Sequence, residues 1–233
     1  MRKVPALASD QIEALRRLDS ATVANAVETF GVRLPNTNFT DPSIHCLFPD
    51  FPPMVGYAAT ARIRAATPPM EGHTYIDRWD WLNHILAIPE PRVVVVQDMD
   101  EPPGLGAFIG EMHANILRAL GCAGVVTNGA VRGLPASRAI ALQMFAGNVC
   151  VSHGYAHILD FGRPLIVGGM KVQPGDLLHG DLHGVQTIPI EIAGKIPNAA
   201  AEILRYKRRV AELCRSGSFT LDGYRSAAKD RKQ

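Results

Sequence analysis

The stretch GLGAFIGEMHANILRALG places three glycines, Gly104, Gly106 and Gly110, directly ahead of Glu111, Met112 and His113. Glycines there let the backbone turn tightly into a helix. The unpaired N–H groups of its first turn, on Glu111, Met112 and His113, then make a site for a carboxylate. The same pattern also serves as a plain helix start packed on a sheet. Farther on, TNGAVRG (residues 127–133) follows an apolar run, and Arg132 projects from a strand end. A guanidinium in that position offers planar, bidentate donors to a carboxylate or an enolate oxygen, although a surface salt bridge is its commoner use. In a βαβ unit the loop before a helix and the end of the next strand share one edge of the sheet, so the two elements reinforce each other.

Other residues invite chemistry less directly. Of the eight histidines, His153, His157, His179 and His183 form two pairs spaced four apart. Such a pair shares a face only on a helix, and LLHGDLHGV reads as strand and turn, so hydrogen-bonded structural imidazoles are expected rather than a transition-metal site. Asp176 and Asp181 stand in Gly-Asp turns, where a carboxylate caps its own backbone. Tyr155 and His157, near Asp160, read equally well beside a site or away from one. Cys46, Cys122, Cys150 and Cys214 lack any CxxC spacing and read as reduced thiols of a cytoplasmic protein. GDLHG is not a P-loop and GLGAFIG lacks the Rossmann spacing, so no nucleotide cofactor is expected.

These residues need a scaffold, and the composition supplies the material for one. The chain has 233 residues, 47% hydrophobic and 20% charged, which excludes wholesale disorder, collagen and a disulfide scaffold. A formal charge of +2 gives no electrostatic reason to expect nucleic acid or an anionic membrane as partner. Charges interrupt the first residues, MRKVPALASDQIEALRRLDS, and no run of about 18 apolar residues follows, so neither a signal peptide nor a membrane span is expected.

Periodicity then predicts the elements of one domain over 1–233, with N-terminal helices at 10–30, a core at 55–192 and a C-terminal helix and tail at 198–233. Asp10 to Phe30 reads as two short helices parted at Asp19-Ser20, and residues 31–53 as an ordered loop. Val55–Ala65 alternates like a strand. A helix over Ile76–Ile88 sends Trp79 and Trp81 to different faces, one to the core and one to an interface. VVVV in Arg92–Val96 predicts a strand buried on both faces. A helix over Glu111–Leu120 leads to a strand at Gly124–Thr127 and a turn at Asn128-Gly129. Then come a short helix at Pro135–Leu142, strands at Gln143–Cys150 and Pro164–Met170, and a strand-turn-strand-turn-strand run in VQPGDLLHGDLHGVQTIP. A basic helix over Asn198–Cys214 closes an α/β chain built on a central βαβ-like unit.

GAFIGEMHANILRALGCAGVVTNGAVRG, followed downstream by VQPGDLLHGDLHGVQTIP and preceded by SATVANAV, resembles the family that joins 4-hydroxy-4-methyl-2-oxoglutarate aldolase with the regulator of ribonuclease activity A, the RraA-like family. Some of its members were formerly labelled dimethylmenaquinone methyltransferases. The resemblance runs from about Asp19 to about Gly217. It implies a three-layer β/β/α swivelling domain with mixed sheets and flanking helices, assembled as a homotrimer or a hexamer, with the active site at the subunit boundary. It further implies that the amides around Gly110, Glu111, Met112 and His113 hold a pyruvyl carboxylate and that Arg132 contacts the pyruvyl oxygens.

In that pattern the aspartate after the arginine ligates a divalent metal, Mg²⁺ or Mn²⁺, and the acidic residue of the helix start, here Glu111, supports it through water. This chain carries Gly133 in place of the aspartate, and a hard cation wants oxygen ligands with at least one carboxylate. The glutamate that a neighbouring subunit contributes has only Glu202 and Glu212 as candidates. The implied chemistry is retro-aldol cleavage of a 4-hydroxy-2-oxo acid, and oxaloacetate decarboxylation through the same pyruvate enolate, with Arg132 and Glu111 in catalytic roles and any metal recruited through Glu111 and water. The alternative is a non-catalytic trimer that binds a protein partner. A third reading is a lyase or hydrolase for another acid that uses His113. Restoring aspartate at 133 is expected to raise metal-dependent activity.

Overall fold

A computed structural model describes residues 5–70 and 77–229. Two short helices, α1 (Ser9–Arg16) and α2 (Ser20–Glu28), meet at Asp19, whose carboxylate caps α2 by accepting from the Thr22 N–H at 2.7 Å. The next segment holds only β1 (His45–Cys46), and then comes β2 (Met54–Arg64). β2 is buried along nearly its whole length rather than on alternate residues, because both of its faces are covered. α3 (Arg78–Leu86) is capped by Asp77; the expected start at Ile76 lies outside the described residues. Trp81 is 3% exposed and Trp79 68%, so the two indoles do face apart.

β3 (Arg92–Asp98), β4 (Ala107–Ile109), α4 (Glu111–Ala119), β5 (Cys122–Val131), α5 (Leu134–Ala139) and β6 (Gln143–Val149) follow. β7 (His157–Phe161), β8 (Leu165–Val167), β9 (Met170–Val172), β10 (Leu177–Asp181) and β11 (Gly184–Ile188) come next, and α6 (Ile190–Ala193), α7 (Ile196–Arg215) and α8 (Leu221–Lys229) end the chain. The main sheet runs β1-β6-β5-β3-β2-β10-β11, with β4 added on β5 and β7 on β2. β2, β3, β5 and β6 pair in parallel; β1, β7, β10 and β11 pair antiparallel, which makes the sheet mixed.

Successive valines of β3 point to opposite faces and join two separate cores. Val94 and Val96 pack with the helices, through Leu15, Val27, Ile85 and Leu117; Val93 and Val95 pack with Leu165, Val167, Met170 and Val172 of the β8–β9 hairpin. Helices, sheet and hairpin therefore form the expected β/β/α layers. The loop read at 31–53 does more than connect. Near its middle the Thr40 N–H donates to the Val185 carbonyl of β11 at 2.8 Å and Phe39 bridges Gln186; a few residues on, His45 and Cys46 pair with Ala146 and Phe145 of β6. One segment thus stitches both margins of the sheet, which is nearly closed.

Three local expectations need correction. Asn128-Gly129 is not a turn. β5 runs straight through it, and the Asn128 side chain accepts from the Asp98 N–H at 2.8 Å and donates to the Asp98 carbonyl at 2.9 Å, replacing ladder bonds where the β5–β6 register shifts. Pro164–Met170 is not one strand but the start of a hairpin, turned at Gly168 and Gly169, whose φ angles are +52° and +72°. Finally, β4 and β7 are strands that periodicity does not announce.

His179 and Asp181 of β10 fasten the N-terminal helices to the sheet. His179 Nε2 faces the Leu15 and Leu18 carbonyls at 3.2 and 3.0 Å, so it carries the hydrogen, and the Ser20 hydroxyl donates to Nδ1 at 3.1 Å. These imidazole contacts are structural. Burial holds the pKa of His179, and likewise of His84, below the ordinary value of 6.5. Burial pushes the Asp181 carboxyl up, but hydrogen bonds from Ser20 and His183 outweigh it and hold the pKa below 3.8. With the folded pKa depressed, the unfolded chain takes up protons first, so stability is full above pH 6.5 and declines as pH falls toward the folded values. Urea midpoints should therefore drop between pH 7 and pH 5 as these imidazoles take up protons on unfolding; a flat profile over that interval would contradict this account.

Candidate functional site

α4 begins at Gly110, whose extended backbone (φ −129°, ψ −172°) contributes no capping side chain. The amides of Glu111, Met112 and His113 find no acceptor among the described residues. Just before that tip, β4 pairs with the end of β5, and the Arg132 N–H donates to the Ile109 carbonyl at 3.0 Å. This pairing sets the arginine beside the helix start. Its Nε and Cγ lie 3.2 and 3.3 Å from where a Cβ on Gly110 would stand, so glycine is needed there for close approach rather than for backbone freedom. The two predicted elements are brought together, and Arg132 Nη1 reaches back to the Val151 carbonyl at 3.4 Å.

Beside them opens a cavity of about 910 Å³. Its apolar walls include Trp81 and Leu82 of α3, Phe108 of β4, Ile116 of α4 and Ile158 of β7. Its polar lining includes Arg78, Glu111, His113, Arg132, His153 and His157. His113 stacks on Phe108 with ring centroids 5.2 Å apart. Burial, then the positive charges of Arg78 and Arg132, hold its pKa below the ordinary imidazole value, against a hydrogen bond to the Phe108 backbone. His113 is accordingly neutral near pH 7, with one nitrogen donating to Phe108 and the other a proton acceptor. His153 and His157 each set Nδ1 at 2.7 Å from a carbonyl, of Gly154 and Tyr155 respectively.

The remaining candidates lie as follows. Glu111 and Met112 are exposed at the cavity rim. Gly133 has φ +68° and starts α5; a Cβ on it would stand 2.9 Å from the Glu111 nitrogen. Aspartate at 133 would be strained and would cover the first amide of α4, so the gain expected from it meets a steric cost. Glu202 and Glu212 are exposed on α7 and are not among the residues that border this cavity. His179 and His183 lie on β10 and its following turn, away from it, and Asp160 is engaged by the Arg62 guanidinium. Asp176 accepts from the Gln173 N–H, a turn contact as read. The cysteines are unpaired, and burial pushes the Cys122 thiol up to about 12, which leaves it unreactive. Sequence reasoning missed Arg78 and Phe108: Arg78 reaches the site from α3, remote in the chain with no local motif to mark it, while Phe108 sits within the glycine-rich stretch itself but on a strand too short to show which face it presents.

A divalent metal would need several oxygen ligands here. Among the described residues, Glu111 is the one carboxylate that borders the cavity, Gly133 supplies no side chain and two guanidiniums stand nearby. No group of three His, Cys, Asp or Glu side chains that could hold a metal occurs among the described residues. The described residues do not fit Mg²⁺ or Mn²⁺.

The chain is similar to a Halalkalibacterium halodurans protein provisionally named 4-hydroxy-4-methyl-2-oxoglutarate aldolase, 34% identical over 36% of this chain and 40% of that protein. It is also similar to the uncharacterized protein MJ0644 of Methanocaldococcus jannaschii, 27% identical over 58% of this chain and 65% of that one. The chain thus spans less than two thirds of either relative. Two solved structures share the fold. One is an uncharacterized protein from Pseudomonas syringae (22% identity, 97% of each chain, TM-score 0.73). The other is RraAS2 of Streptomyces coelicolor, described as an unusual member of the RNase ES inhibitor RraA protein family (20% identity, 89% of this chain and 98% of that one, TM-score 0.70). The RraA-like family profile, described as Aldolase/RraA, matches residues 20–186, from the capped start of α2 into β11, and the chain belongs to that family.

Proposed function

We propose that this chain is a lyase that releases pyruvate from small 2-oxo acids. Its reactions are retro-aldol cleavage of 4-hydroxy-2-oxo acids, of the 4-hydroxy-4-methyl-2-oxoglutarate type, and decarboxylation of oxaloacetate, performed as a trimer or hexamer. The observation that carries this reading is the meeting of Arg132 with the open amides of α4 at one cavity. The aldolase name of the H. halodurans relative supports it. The 2-oxo acid sets its carboxylate on the Glu111–His113 amides and its keto oxygen toward Arg132. His113, a neutral base facing the cavity, takes the 4-hydroxyl proton. The C3–C4 bond breaks, C4 leaves as a carbonyl, and the bonding pair becomes the enolate of pyruvate, whose oxyanion faces the guanidinium. Oxaloacetate reaches the same enolate by losing its C4 carboxylate as CO₂. C3 then takes a proton, the one held by His113 after retro-aldol cleavage or one from water after decarboxylation, which gives pyruvate.

The missing carboxylate at position 133 favours a second reading, a non-catalytic trimer that binds a protein partner. The experiment that separates them supplies oxaloacetate and a 4-hydroxy-2-oxo diacid separately to the purified protein and follows pyruvate through a coupled assay. Release well above the protein-free rate from either acid is expected. Release at the protein-free rate from both, with and without Mg²⁺, would leave the binding reading in its place.

A further inference from the structure

We infer that this pocket takes its 2-oxo acid without a divalent cation, an exposed backbone amide and two guanidiniums standing where a metal and its ligand would be. This rests on reading the site as an oxo-acid pocket. Three observations lead to it. At Gly133, φ is +68° and a Cβ would come within 2.9 Å of the Glu111 nitrogen, so any side chain there crowds the first amide of α4, and glycine uncovers it. The residue type that removes a carboxylate therefore adds a donor. Secondly, the charge balance of the cavity lining is wrong for a cation. Among the described residues, Arg78 and Arg132 oppose one carboxylate, Glu111, and the helix start adds further positive potential. Thirdly, the imidazoles around the cavity, His113, His153 and His157, do not gather into a ligand set, consistent with the absence of any three-residue metal group among the described residues. An anion, by contrast, finds donors and positive charge together.

The test is pyruvate binding to the full chain, titrated by broadening of the pyruvate methyl resonance, after EDTA treatment and again with Mg²⁺ or Mn²⁺. Affinity should be unchanged by the metal, and paramagnetic Mn²⁺ should add no relaxation to bound pyruvate. Gly133→Ala, confirmed as folded by its melting curve, should weaken binding about tenfold by covering one amide donor. Arg132→Ala, whose backbone contacts are untouched, should weaken it at least as much and serves if the position 133 variant does not fold. Binding that appears only with metal, or strong Mn²⁺ relaxation at the bound methyl, overturns the inference and leaves the oxo-acid pocket standing. No pyruvate binding in either condition removes the oxo-acid reading itself, and this inference with it.

Discussion

Arg132→Ala will lower kcat/KM for pyruvate release by about two to three orders of magnitude, the usual effect of deleting a donor aimed at a developing oxyanion. The variant should nevertheless fold. The bond that locates this residue is made by its backbone N–H to Ile109, and the side chain itself adds only a long contact to the Val151 carbonyl. Truncation should thus cost little unfolding free energy, about 1 kcal/mol or less. Arg132→Lys keeps the charge but loses the flat, two-pronged donor geometry, and should recover only part of the rate. Steady-state kinetics on the three proteins, with melting curves alongside, checks this. Equal rates for wild type and the alanine variant would mean that the guanidinium does not face the reacting oxygen.

The second large effect is on stability. Asn128→Ala should destabilise the fold by about 3 kcal/mol, since it strips partners from both the N–H and the C=O of Asp98 in a nearly closed part of the structure. The neighbourhood cannot relax easily. A Cβ on Gly129 would meet the Asp98 side chain at 2.9 Å, and one on Gly147 would meet the Asn128 carbonyl at 2.3 Å. Asp98 is itself buried, which raises its pKa, and its carboxyl oxygens accept from the Gly104 and Asp100 amides. Urea unfolding of wild type and variant reads the difference directly. A change within a few tenths of a kcal/mol would show that these side-chain bonds merely replace solvent.

That site also explains where sequence reasoning failed. Asn-Gly is a strong hairpin signal because both residues tolerate positive φ. Here neither does so, and the asparagine instead bonds across to β3, a contact 30 residues away that local pattern cannot reveal. β4 and β7 escape notice for a related reason: they are short, and their pairing with β5 and β2 is what makes them strands. The Asp19 cap, the α4 start at Glu111 and the valine run of β3 were legible because the physics that fixes them is local. Half of the candidate site was legible on the same grounds, since Gly110 and Arg132 sit at the ends of neighbouring elements. The other half arrives from α3 and from the segment around β7, and only the three-dimensional fold brings it in.

The segment from Asn38 to Leu47 ties β11 at one margin to β6 at the other. Exposed strand rims are where proteins recruit foreign backbone, whether in domain exchange or fibril growth. With its own loop bonded along part of both rims, this ribbon leaves less bare backbone there for such recruitment. Cutting that loop would unmask the hazard.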